Sequence, residues 1–533
     1  MLKYFKNTGL IAIGLAVGIL AGVQFSTRTN AQSPTKLTRQ VSNQVRQPGP
    51  LPLEELRLLA EVFGQVKQSY VEPIDDKRLL TAAVKGMVSS LDPHSSYLDA
   101  KEYQELQEQT LGRFAGVGIE ITQEEGWVKV IAPIEDTPAF RAGLQPGDLI
   151  MRIDDKSVRN MTLNRAVQKM RGKAGTKVRL TIFRKVANRT FSLTLTRAEI
   201  HVQSVKTKLI QTAYAWVRIT SFQEDTVAAL TEKLNDIVQR TPHLKGLILD
   251  LRNNGGGLLQ SAVGVTAAFV PRAALIVSTN GQEPESRKIY RSTLADYQLS
   301  SLSADPLKHL SPMFKTVPMV VLTNAYSASA SEIVAGALQD HHRALIMGKT
   351  TFGKGSVQTV RPLTTDTGLR LTVAYYYTPS GRSIQNKGIR PDLPVDQYPN
   401  GDPDEAYITR EIDYSNHLAN TQESDEEKEE REQRRLEQIR LLEEQNAKKT
   451  PEQRENDRQR TPPLFGSEDD FMVQQALRYL KGEPVQTSKS LLERPPAAAQ
   501  SRPSAPLSEP SISAPSVQMH GSDAAPNPTD SSK

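Results

Sequence analysis

The chain of 533 residues contains no cysteine. Disulfides, thiol nucleophiles, thiolate-ligated metals and a lipid-modified N-terminal cysteine are therefore excluded, and its chemistry must rest on oxygen and nitrogen groups. Histidine is scarce: there are eight, with no His-Glu-x-x-His spacing, so a zinc site lacks its usual ligands and neither metal nor cofactor is expected. No charge of either sign dominates, since 66 basic and 60 acidic residues give a formal net charge of +6. That near balance gives no support for a nucleic-acid partner.

The apolar run from Leu10 to Val23 is, at about 14 residues, shorter than the roughly 20 that span a bilayer comfortably. It follows Lys3 and Lys6 and precedes Thr29-Asn30-Ala31, the order of a secretory signal. Residues 1–31 are expected to be a signal peptide or an anchor. The bulk of the chain is then expected across the cytoplasmic membrane, in a periplasm or at the outer face of the inner membrane.

A polar linker, residues 32–52, leads to a helical region, 53–113, where Leu59, Val62, Phe63, Val66 and Tyr70 recur at helical spacing. A second helical segment around Leu79 to Leu91 stops at Asp92-Pro93-His94, because proline disfavours a helical residue before it. Residues 114–200 change to short β-branched runs divided by turns such as Pro146-Gly147-Asp148, a small β-rich module. Residues 201–398 alternate apolar strands, Leu247 to Leu251 and Met319 to Leu322 among them, with helices near Leu258 to Phe269 and Ala330 to Leu338. Such alternation predicts a layered α/β core. Residues 399–482 form a charged region, solvated helix or disordered, with one more docked helix around Phe471 to Leu480. The Pro, Ser and Ala tail, 483–533, cannot bury enough to fold. The fold class is thus multidomain α/β: a small helical N-terminal region, a β-rich module, a layered core and a disordered tail.

Three segments of the core carry candidate chemistry. Asn324-Ala325-Tyr326-Ser327-Ala328-Ser329-Ala330-Ser331-Glu332 joins a strand to a helix, where a nucleophile and unpaired helix amides can coincide. Thr351-Phe352-Gly353-Lys354-Gly355-Ser356-Val357-Gln358 reads as β-like, with Lys354, Ser356 and Gln358 on one face. Asp250-Leu251-Arg252-Asn253-Asn254-Gly255-Gly256-Gly257 runs from a strand into glycines that let backbone N–H groups approach a substrate. A serine needs a base, and an ordinary lysine is protonated at neutral pH. Burial can lower its pKa by several units.

In this order, and behind the β module, these segments resemble the carboxy-terminal processing peptidases, or tail-specific proteases, over roughly residues 55 to 395. The resemblance implies a serine endopeptidase with Ser329 as nucleophile, Lys354 as base, Gln358 supporting the lysine, and the amides of Gly256 and Ala330 as the oxyanion hole. Gly255 stands where that family often has proline. The β module resembles a PDZ domain. The resemblance then assigns Gly116, Val117, Gly118 and Ile119 to capture of a substrate's C-terminal tail, with the helix Leu163 to Met170 as the other wall. Expected partners are envelope proteins with apolar C-termini; an adaptor and self-association through the terminal helices stay open. Two other classes compete. One is an inactive secreted PDZ scaffold or chaperone. The other is a trypsin-like enzyme using His94 or the pair His341-His342, but the chain lacks the Gly-x-Ser-x-Gly and Gly-x-Ser-Gly-Gly nucleophile motifs.

Overall fold

The computed structural model describes residues 51–493, apart from 125, 135, 186, 301–303, 403–407, 449, 451–463 and 489. The expected signal segment and most of the tail lie outside the described residues. No helix among the described residues is long and apolar enough to cross a membrane. The chain divides into two compact units, residues 1–79 and 80–533. In the first, the helix Leu53–Ser69 opens with Glu54 and Glu55 and closes with Lys67, charges that complement its dipole. The unit boundary falls inside a second helix, Asp76–Ser89.

The second unit holds the β module and the core. In the module, strands Ile119–Glu124, Trp127–Pro133, Leu149–Ile153, Lys177–Arg184 and Arg189–Thr196 form an antiparallel sheet. Its alternate residues Val128, Val130, Ile150, Val178, Leu180 and Ile182 pack with Ala166 and Met170 of the helix Leu163–Met170.

The core is built on a six-stranded sheet in the order Val205–Ile210, Tyr214–Ile219, Gly246–Asp250, Met319–Thr323, Leu345–Gly348, Leu393–Pro394. The first pair is antiparallel and the rest are parallel. Parallel strands need both faces covered, and the period of two divides their side chains accordingly. Leu247, Leu249 and Val321 pack beneath the helices Thr226–Arg240, Leu259–Ala267 and Ala330–Asp340. Ile248, Val320 and Leu322 face the helix Phe471–Leu480 through Met472, Val473 and Ala476. That docked helix follows the expectation from its apolar spacing.

A second, antiparallel sheet joins Ser96–Leu98, Gly368–Tyr377, Leu275–Gly281 and Lys288–Arg291, with Ser356–Pro362 also pairing with Gly368–Tyr377. The charged stretch forms the helix Asp425–Lys448.

Candidate active site

From the strand Met319–Thr323 the chain turns through Asn324–Ala328 into the helix Ala330–Asp340, and Ser329 stands at the corner with φ 54° and ψ −112°. L residues rarely adopt such a backbone, and it persists only where the surroundings enforce it. Ser327 Oγ donates to the Leu251 carbonyl and Ser331 Oγ to that of Asn254, both at 2.8 Å. The outer serines of the run thus tie the turn to the glycine loop. Ser329 instead lines an open cavity of about 670 Å³, together with Gly256, Ala330, Lys354, Gln358 and Tyr376.

Glu332 holds this corner to the lysine segment. Its fully buried carboxylate accepts from Ser329 N–H (2.8 Å), Lys354 N–H (2.9 Å), Gly353 N–H (2.7 Å) and Thr351 Oγ1 (2.6 Å). Burial raises its pKa to about 7 against the pull of these hydrogen bonds. Tyr376, also buried, donates its hydroxyl to the Lys354 carbonyl, and Gly355 N–H donates to Gln385 Oε1 at 2.9 Å. The backbone around Lys354 is therefore fixed on several sides. Burial lowers the Lys354 pKa from 10.5 to about 8; the Glu411 charge opposes this and Arg370 reinforces it.

Gln358 shares the cavity, and its Nε2 donates to Ser356 Oγ (3.0 Å) and Thr372 Oγ1 (3.1 Å). Of the two expected oxyanion donors, Ala330 N–H has no hydrogen-bond acceptor among the described residues. Gly256 N–H donates to Asn254 Oδ1 at 2.9 Å. Gly256 has φ +104°, and a Cβ there would lie 2.9 Å from Ser329 Cβ and 3.0 Å from Ala330 N. Only glycine leaves that space open.

In the β module, Gly116 ends the strand Arg113–Gly116 and Ile119 opens the next. Ala139 N–H donates to the Val117 carbonyl, and Ile134 N–H and Thr137 Oγ1 donate to that of Gly118. The N–H groups of Val117 and Gly118 find no acceptor among the described residues. Val117 is buried, whereas Ile119 packs half-buried against the module's core. None of the four lines the Ser329 cavity. Nor do the histidines: His94 Nε2 lies 2.7 Å from Glu411 Oε2 and His341 Nε2 lies 2.6 Å from the Leu275 carbonyl. Among the described residues no cluster of three His, Asp or Glu could hold a metal ion.

Glu332, Tyr376 and Asn254 are the groups that sequence reasoning passed over. Only Glu332 carried a signal, as an acid in the first turn of a helix behind a serine corner.

Comparison with known proteins agrees with this architecture. The family described as "Peptidase family S41" matches residues 213–395, "PDZ domain" matches 115–195, and "Activating protease CtpB N-terminal domain" matches 11–102. The chain is 44% identical over 346 residues to the carboxy-terminal-processing protease of Bartonella bacilliformis, covering 64% of this chain and 76% of that protein. It is 34% identical over 337 residues to the carboxy-terminal processing protease CtpA of Bacillus subtilis, covering 63% and 68%. A solved photosystem II D1 C-terminal processing protease is 30% identical, with a TM-score of 0.37, over 64% of this chain and 93% of that one. The chain belongs to peptidase family S41: it is a carboxy-terminal processing protease, a serine-type peptidase that carries a PDZ domain.

Proposed function

We propose that Ser329 and Lys354 form a Ser-Lys dyad. The observation that carries this reading is the desolvated Lys354, with a pKa of about 8, lining one cavity with a serine on a strained strand-to-helix corner. The neutral amine takes the Ser329 hydroxyl proton as Oγ bonds to the scissile carbonyl carbon. The Ala330 N–H meets the developing oxyanion, joined by Gly256 N–H when Asn254 releases it. The ammonium then returns its proton to the leaving amine. A water activated by the same lysine hydrolyses the acyl ester.

Substrates are envelope proteins presented by their apolar C-termini, whose carboxylate binds the unpaired amides of Val117 and Gly118 while Ile119 contacts the last side chain. The signal-like order of residues 1–31 supports a site outside the cytoplasmic membrane. Incubating an unfolded substrate with wild type, Ser329→Ala and Lys354→Ala, read by intact mass, tests the dyad. Either variant should yield no product, and cleavage by either removes that residue from its role.

A further inference from the structure

The segment Asp92-Pro93-His94-Ser95-Ser96 takes no part in the chemistry above, yet it carries a carboxylate that is only 4% exposed. Asp92 Oδ1 accepts from the N–H groups of His94 (2.8 Å) and Ser95 (3.0 Å), and Oδ2 from Ser95 Oγ (2.6 Å). The strand that follows, Ser96–Leu98, pairs with Gly368–Tyr377 with Ser96 opposite Arg370. That register brings Asp92 Oδ1 to 3.0 Å from Thr372 Oγ1, and Thr372 Oγ1 is 3.1 Å from Gln358 Nε2.

The directions of these bonds follow from the groups themselves. Burial would raise the Asp92 pKa, but hydrogen bonds led by Ser95 outweigh it and hold the carboxyl below its usual range. An ionised carboxylate only accepts, so the Thr372 hydroxyl must donate to Asp92 and can offer Gln358 nothing but a lone pair. The Gln358 end that meets it is therefore the NH₂. Its two hydrogens serve Thr372 and Ser356, which leaves Oε1 as the free acceptor on the amide's other branch.

We propose that Asp92 is a positioning residue for cleavage: through Thr372 it fixes the Gln358 amide so that the carbonyl oxygen, not the NH₂, is presented to Lys354. This rests on reading Lys354 as the base. An acceptor draws an N–H of the neutral amine towards Gln358 and leaves the nitrogen lone pair for Ser329. A reversed amide would donate into that lone pair and occupy the base.

The test uses the full chain and an unstructured peptide with a free apolar C-terminus. Asp92→Ala removes the acceptor of the Thr372 hydroxyl, which is then released to donate to Gln358, so the amide flips. We expect kcat to fall about tenfold, the weight of one hydrogen bond, with KM unchanged. In a Gln358→Ala background the same change should cost nothing more. Thr372→Ser should keep activity and Thr372→Val lose about tenfold, again only when Gln358 is present, so the Thr372 pair decides if Asp92→Ala does not fold. Losses that add in full to that of Gln358→Ala overturn the relay, as does a change confined to KM. Full activity of Gln358→Ala overturns it as well. Activity of Lys354→Ala instead overturns the reading beneath it, so the two failures are distinguishable.

Discussion

The backbone N–H groups of Ser329 and Lys354 share one acceptor: Glu332 Oε2 receives both, at 2.8 and 2.9 Å. The corner that bears the serine and the turn that bears the lysine are thereby set against each other by one buried carboxylate. Glu332→Gln leaves one oxygen and one NH₂ where four donors converge, so some donors face a donor. A kcat loss of about a hundredfold with little change in KM is expected, because several charge-assisted hydrogen bonds are weakened at once. Steady-state kinetics on a folded variant with near wild-type kcat would remove Glu332 from this role.

Lys354→Arg is expected to be as inactive as Lys354→Ala. A guanidinium stays protonated above about pH 12 and cannot accept the serine proton, so retaining the charge does not rescue the site. Substantial cleavage by the arginine variant, with its fold checked by circular dichroism, would contradict the base role.

The acid limb of the pH profile follows from the same groups. As the proposed base, Lys354, lowered to about 8 mainly by burial, has to lose its proton before it can act, so kcat/KM should rise with pH and level off above that value. Glu332, raised to about 7 by burial, becomes a donor when protonated, which should steepen the limb below pH 7. Glu411 is the largest charge opposing the drop in Lys354, so Glu411→Gln should move the limb to lower pH. The decisive control is His94→Ala: a limb that vanishes with the histidine would transfer the base role away from lysine.

Much of this site was legible in the sequence because its parts are local. Ser329 and Lys354 each sit in a short strand-and-turn context, and the two faces of the core sheet follow the alternation of Leu247, Ile248 and Leu249. What stayed hidden depends on non-local pairing. Ser96–Leu98 is a three-residue strand, too short to show a period of its own, and only its register with Gly368–Tyr377 carries Asp92 to Thr372. The Asn254 side chain on Gly256 N–H and the direction of the Gln358 amide are likewise tertiary facts that spacing cannot encode.

Tail selectivity gives a prediction on the PDZ domain. If the amides of Val117 and Gly118 bind a carboxylate, one unfolded substrate with a free apolar C-terminus should be cut faster than its amidated form at subsaturating concentration. The contribution of the carboxylate enters kcat/KM. Equal rates for the two forms would exclude carboxylate capture.

Arg252 is fully buried, and its guanidinium donates to Asp250 Oδ1 (2.9 Å) and Oδ2 (2.6 Å) and to Asp470 Oδ1 (2.9 Å) and Oδ2 (2.6 Å). Its guanidinium carbon lies 4.3 Å from the Phe465 ring centroid. Asp470 stands 218 residues away in the chain and also begins the helix Phe471–Leu480, accepting from Val473 N–H. It thus joins that helix to the residue from which the Asn253–Gly257 loop departs. Asp470→Asn keeps the shape but removes one of the two charges that offset the buried guanidinium. Breaking such a pair from one side costs about 3–5 kcal/mol, because the remaining charge cannot reach water. The urea midpoint should fall accordingly. Because the loss also loosens the loop that carries Gly256, kcat should fall more than KM rises. A variant whose unfolding midpoint and kcat both match wild type would show that Asp250 alone satisfies Arg252, and that the helix contributes nothing to the loop.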